Sequence, residues 1–168
     1  MHRRLVVLLI AATALMPGMS SALAGAREIV KFSAHMRAGT IVVRTGERRL
    51  YFVTADGRAY RYPVGVGRSG KQWFGTTSIV SKHIRPAWSP PKEIRGSRPA
   101  WVIPSGSPKN PMGAAALVLA DNELAIHGTN NPGSVGGYVS WGCIRMHNRD
   151  IMDLYDRVAV GTRVVFSR

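Results

Sequence analysis

Two side chains in this sequence combine the right chemistry with a workable spacing. His127 and Cys143, the only cysteine, lie 16 residues apart, and the segment between them carries Gly128, Gly133, Gly136, Gly137 and Gly142. A flexible loop of that length can bring its ends together, so an imidazole and a thiol can meet within hydrogen-bond reach. A lone cysteine is most often a small buried apolar residue, but three features favour a nucleophile here. An unpaired thiol is a liability in an oxidising compartment, and the N-terminus points to one. Gly142 removes a side chain where a backbone amide can approach a reacting carbonyl. Arg145 places positive charge near a thiolate. His127 is then the general base.

Arg145 has two readings. Its planar fork suits a substrate carboxylate, which is the preferred one, while Asp150 and Asp153 downstream offer a structural ion pair. His83 and His147 could join His127 and Cys143 around zinc, but their spacing matches no familiar Cys/His metal pattern. Neither a metal nor another cofactor is expected.

These residues need a scaffold, and the chain reads as mainly β. Ile41-Val42-Val43 and Leu50-Tyr51-Phe52-Val53 flank a Thr45-Gly46-Glu47 turn, and Asp56-Gly57 leads into a third strand over 58–66, which makes an antiparallel sheet. Ala114–Leu119 and Leu124–His127 form a second hairpin around 120–122, placing His127 at a strand end. Asn148 is expected to cap a short helix over Arg149–Val158, with Ile151, Leu154, Tyr155 and Val158 on its core face. Arg163–Phe166 is a last strand. Gly25–Gly39 shows no periodicity and reads as a lead-in. Residues 83–111 carry Pro86, Pro90, Pro91, Pro99, Pro104, Pro108 and Pro111 with Trp88 and Trp101; no helix or central strand is expected there, and the loop reads as a stiff wall. Gly65-Val66-Gly67-Arg68-Ser69-Gly70 matches a dinucleotide fingerprint, but no helix signal follows it, so nucleotide binding is rejected.

The chain has 168 residues, 45% hydrophobic and 19% charged, with 23 Lys+Arg against 9 Asp+Glu. That is one domain's worth, with too few charges for a disordered chain. Met1-His2-Arg3-Arg4, the apolar run Leu5–Met16 and Ala22-Leu23-Ala24 read as a secretory signal over 1–24. The run is shorter than the roughly 20 residues of a membrane span, and no cysteine directly follows the cleavage point, so no membrane anchor is expected after cleavage. Without Arg3 and Arg4, 21 basic residues face 9 acidic ones, a net +12. For an exported protein this suits anionic envelope polymers rather than nucleic acid, although solubility alone also accounts for it.

At His127-Gly128-Thr129 and Ser140-Trp141-Gly142-Cys143-Ile144-Arg145 the sequence resembles the L,D-transpeptidase family, whose catalytic module is often called the YkuD domain. Tyr62–Gly67, Pro86–Pro91, Asn110–Gly113 and Val158–Thr162 also look like members, so the resemblance covers roughly 38–168. It implies a mixed β-sandwich or flattened barrel with one or two short helices, a lead-in over 25–38 and a catalytic domain over 39–168. It also implies that Cys143 is the nucleophile, that His127 is its base oriented by the Gly128 carbonyl, and that amides near Gly142 and Cys143 hold the oxyanion. Arg145, Ser140, Trp141 and Gly142 would bind substrate. Two departures stand out. Many members have His where this chain has Trp141, and most have Thr-Pro where it has Phe74-Gly75-Thr76-Thr77.

The resemblance implies a periplasmic enzyme without cofactor that acts on peptidoglycan stem peptides. The thiolate attacks the third-residue carbonyl of a tetrapeptide, expels D-Ala, and passes the acyl group to an amine, giving a 3→3 cross-link or an anchored envelope protein. The alternatives are an L,D-carboxypeptidase using the same acyl-enzyme, or a binding module with an inert Cys143. An activated Cys143 should alkylate well below the ordinary thiol pKa.

Overall fold

The structure is a computed structural model that describes residues 27–32, 35–121 and 123–168. The leader expected over 1–24 lies outside the described residues. The expected meander is present as β2 (Ile41–Arg44), β3 (Arg49–Val53) and β4 (Arg58–Pro63), paired antiparallel in sequence order. Gly57 takes φ +70° in the turn before β4, the left-handed conformation that a tight Asp-Gly turn needs.

The lead-in reading is corrected at one point, because β1 (Glu28–Lys31) pairs antiparallel with β4 and extends the sheet edge. Its residues are mostly exposed, so an edge strand of this kind leaves no alternation to read.

After β5 (Val66–Gly67), β6 (Gly75–Ile84) is the longest strand and joins the two halves of the fold. Its first residues pair with β11 (Arg163–Ser167), which lies parallel to β2. From Ile79 onward, with an irregularity between Ile79 and Ser81, it pairs with β7 (Ala115–Leu119). β8 (Ala125–His127), β9 (Tyr138–Ser140) and β10 (Ile144–Arg145) complete the strands. One nine-stranded open sheet runs β1-β4-β3-β2-β11-β6-β7-β8-β10, and β5 and β9 form a small parallel pair. Among the described residues the chain is thus mainly β with two short α-helices, as expected.

Two helical details differ from expectation. The Pro/Trp loop does hold one helical turn, α1 (Lys92–Arg95), started by Pro91, where the ring's lack of an N–H costs nothing. Trp88 and Ile103 exchange backbone hydrogen bonds of 2.9 and 2.7 Å across the same loop. α2 spans Asn148–Arg157 with His147, not Asn148, at its N-cap.

The core gathers Ile41, Leu50, Tyr62, Ile79, Leu117, Ile126, Ile144, Met146, Ile151 and Leu154, all fully buried. Ile151 and Leu154 are the inward face of α2, which packs on β7 and β8. Ile151→Ala should therefore cost about 2–5 kcal/mol through lost burial and a residual cavity. Urea unfolding would read this as a lower midpoint at unchanged slope.

Candidate active site

The parallel pairing of β10 with β8 sets Arg145 beside His127 and Ile144 beside Ile126. Successive residues of a strand point to opposite faces. Ile126 and Ile144 therefore enter the core, while His127 and Arg145 share the other face; Cys143 immediately precedes β10, with its thiol by the Ala125 amide of β8. β10 is fixed on both sides: Met146 N–H donates to His127 O at 2.8 Å, and Arg145 and Gly65 exchange backbone bonds of 2.9 and 2.8 Å.

His127 is 4% exposed, and its Nδ1 lies 2.6 Å from Gly128 O. A carbonyl only accepts, so the neutral ring carries its proton on Nδ1 and keeps a lone pair on Nε2. Burial, joined by the Arg145 charge, pushes its pKa down to about 4, against the Gly128 and Pro111 carbonyls that favour the cation. The imidazole is thus neutral at pH 7 and able to accept a proton.

Cys143 is partly exposed. Burial nevertheless pushes its thiol above the ordinary value, outweighing the Ala125 amide, Arg145 and its own N–H, all of which favour the anion. Burial thus opposes the lowered thiol pKa that alkylation well below the ordinary value would need. The resting pair is a neutral thiol and a neutral imidazole, and the sulfur needs a base.

The turn holding Cys143 is stapled by Ser140. Its buried hydroxyl accepts from Gly142 N–H at 3.1 Å and donates to Cys143 O at 2.6 Å. Of the two amides expected at the oxyanion, Gly142 N–H is thereby engaged, and Cys143 N–H remains. Gly142 has φ +135°, and a Cβ there would stand 2.8 Å from Leu124 Cδ2. Gly142→Ala should shift this turn, lowering kcat about 10- to 100-fold because small misplacements of reacting groups are costly. Parallel kinetics and melting curves would separate that from unfolding.

The 65–70 glycine segment also finds its reason here. A Cβ on Gly65 would stand 2.7 Å from Ser134 O, and one on Gly67 would collide with Lys71 O. Glycine at 65 lets this strand lie against Ser134 and Arg145, and glycine at 67 lets the 67–71 turn close on itself, while Arg68 N–H donates to Ser140 O at 3.0 Å. The Arg68 guanidinium carbon sits 3.3 Å from the centre of the Trp141 ring, and Lys71 Nζ 5.3 Å from it. Lys71 Nζ also pairs with Glu93 Oε1 of α1 at 3.0 Å. Trp141 is half-exposed on this rim. Arg68, Lys71 and Glu93 escaped the sequence reading, because only tertiary pairing brings them beside residue 141.

Arg145 has no ion pair among the described residues. Asp150 pairs with Arg149, and Asp153 with Arg27 and Arg157, so the structural alternative is not realised. Arg145 Nε is buried without a hydrogen-bond partner, on a side chain whose charge acts on both His127 and Cys143. His83 bonds Ser81 Oγ on β6 and His147 starts α2. Among the described residues no group of three or more His, Cys, Asp or Glu side chains could hold a metal ion.

Asn148 also converges here without having been read as part of the site. Its Oδ1 accepts from Ala114 N–H and Thr129 N–H, both at 3.0 Å, and its Nδ2 donates to Thr129 O at 3.0 Å.

Residues 38–166 match the YkuD family, described as the L,D-transpeptidase catalytic domain. The probable L,D-transpeptidase ErfK/SrfK of Escherichia coli K12 is 40% identical over 136 residues, covering 74% of this chain and 42% of that protein. The probable L,D-transpeptidase YbiS of the same strain is 38% identical over 137 residues, covering 75% and 44%. The chain thus spans less than half the length of these two relatives. The crystal structure of L,D-transpeptidase 3 from Mycobacterium tuberculosis superposes with a TM-score of 0.61 at 16% identity, covering 77% of this chain and 60% of that one.

Proposed function

Because the chain belongs to the L,D-transpeptidase catalytic-domain family, we propose that it is a cysteine acyltransferase of peptidoglycan, exported by its first 24 residues and acting in the periplasm through the domain over 39–168. The observation that supports this best is the β8–β10 register, which sets Arg145 beside His127 just after Cys143, with His127 Nδ1 held 2.6 Å from the Gly128 carbonyl.

In this reading His127 Nε2 takes the proton of Cys143 Sγ as the sulfur attacks the third-residue carbonyl of a tetrapeptide stem. The bond to D-Ala breaks, and the imidazolium returns its proton to the departing amine. Cys143 N–H faces the oxyanion. An acceptor amine then opens the thioester, its proton passes through His127 to the sulfur, and the thiol is restored. The acceptor is the side-chain amine of a second stem or an amine of an envelope protein. Arg145 and the Arg68–Trp141 rim meet the stem's carboxylates, in keeping with the net +12. The chain's own groups carry every proton, so no cofactor is required.

The test is to incubate the chain freed of residues 1–24 with a disaccharide-tetrapeptide and identify products by mass spectrometry. Loss of D-Ala with a cross-linked dimer is expected. Loss of D-Ala without dimer, even with added amines, would instead mark a carboxypeptidase. Intact tetrapeptide together with specific binding would mark a non-catalytic module.

A further inference from the structure

The amide of Asn148 does not serve its own helix. Asn148 is the first residue of α2, yet its side chain turns back to three backbone groups on the segments flanking β7 and β8. One of them matters for chemistry, because Gly128 O and Thr129 N–H belong to the same peptide unit. The described residues contain no cis peptide bond, and a trans peptide points its carbonyl and its N–H in opposite directions. Gly128 O faces His127 Nδ1 at 2.6 Å while Thr129 N–H faces Asn148 Oδ1 at 3.0 Å. A single rigid plane therefore connects the imidazole to the Asn148 amide.

We propose that Asn148 is the outer positioning residue of the Cys143–His127 pair, acting through the Gly128–Thr129 peptide to hold the Nδ1–H tautomer of His127. If that peptide turned over, an N–H would face Nδ1. The ring would then have to accept at Nδ1 and carry its proton on Nε2, losing the lone pair that receives the sulfur's proton. Glycine at 128 leaves the peptide free to rotate, and Asn148 opposes the rotation by accepting from Thr129 N–H, while its bond to Thr129 O fixes the peptide that follows. A hydrogen bond to the N–H end also polarises the carbonyl end, strengthening its hold on the imidazole.

The surrounding glycines fit this role. A Cβ on either Gly113 or Gly128 would collide with Asn148 Oδ1, so both positions are kept bare where the amide enters. Arg145 is the charged group that acts on His127, and it lies on β10, away from the Asn148 contacts.

The inference rests on His127 being the base, and its test keeps the two apart by reading the imidazole directly. Histidine side-chain nitrogen NMR on the unmodified chain should show His127 protonated at Nδ1. Asn148→Ala should mix the tautomers or lose the Nδ1–H signal, and lower kcat for D-Ala release about 10- to 100-fold, the size lost when the outer partner of an oriented histidine is removed. KM should stay within about two-fold. Asn148→Asp keeps the acceptor for both N–H groups and should retain the Nδ1–H signal with most of the turnover. If the Ala chain fails to fold, Asn148→Ser, well tolerated at a helix start, carries the same expectation as Ala. A wild-type Nδ1–H signal or unchanged kcat in the folded Ala or Ser chain would overturn the proposal. Inactivity of the unmodified chain would count against the enzymatic reading and leave the tautomer result to decide the role of Asn148.

Discussion

A Cys143→Ala chain is expected to fold, bind stem peptide and release no measurable D-Ala. Removing a covalent nucleophile deletes the pathway rather than slowing one step, and in comparable triads it costs about 10⁴-fold or more. The fold should tolerate the change because Cys143 is partly exposed and in no disulfide, and the turn is held by Ser140 through backbone atoms that Ala keeps. Cys143→Ser is expected to be almost as inactive: a hydroxyl is harder to deprotonate than a thiol that burial already holds above its ordinary value. Product analysis on both variants, with circular dichroism to show that they fold, checks this.

The second large effect belongs to His127, in both rate and stability. His127→Gln leaves an amide that can still donate to Gly128 O but takes no proton from sulfur, so turnover should fall about 10²- to 10⁴-fold. The stability effect follows from the depressed pKa. Between 6.5 and about 4 the unfolded chain binds a proton at this residue and the folded chain does not. Stability should therefore fall as pH drops through that window, by roughly 3 kcal/mol in all. Urea unfolding at pH 7 and near pH 4.5 should show this loss in the natural chain and a smaller one in His127→Gln. The activity of the natural chain should hold down to about pH 4 on the acid side and fall below it as the base becomes protonated.

Much of this was open to a reader of the sequence where local patterns match tertiary partners. The 41–63 meander and the 115–127 hairpin are apolar runs separated by turn residues, and Ile151 and Leu154 follow helical spacing. β6 was not visible, because Gly75–Ile84 mixes Thr, Ser and Lys with its apolar residues and becomes a strand through β11 on one side and β7 on the other. His127 and Cys143 stood out because their spacing and residue types carry a mechanism by themselves. Asn148 misled, since Asn at a helix start is the usual capping signal and nothing local announces that its amide turns to Ala114 and Thr129. Arg68 and Lys71 lie some seventy residues before Trp141, and only tertiary pairing, marked by the Arg68 N–H bond to Ser140 O, brings them onto its ring.

The central claim is that Cys143 carries the acyl group, and intact-protein mass spectrometry after brief mixing with a tetrapeptide donor tests it most directly. The expected result is a protein heavier by the donor less D-Ala, with the added mass on the tryptic peptide that contains Cys143 and removed by an added amine or by hydroxylamine. D-Ala release at an undiminished rate from Cys143→Ala, or an adduct on any other residue, would contradict it.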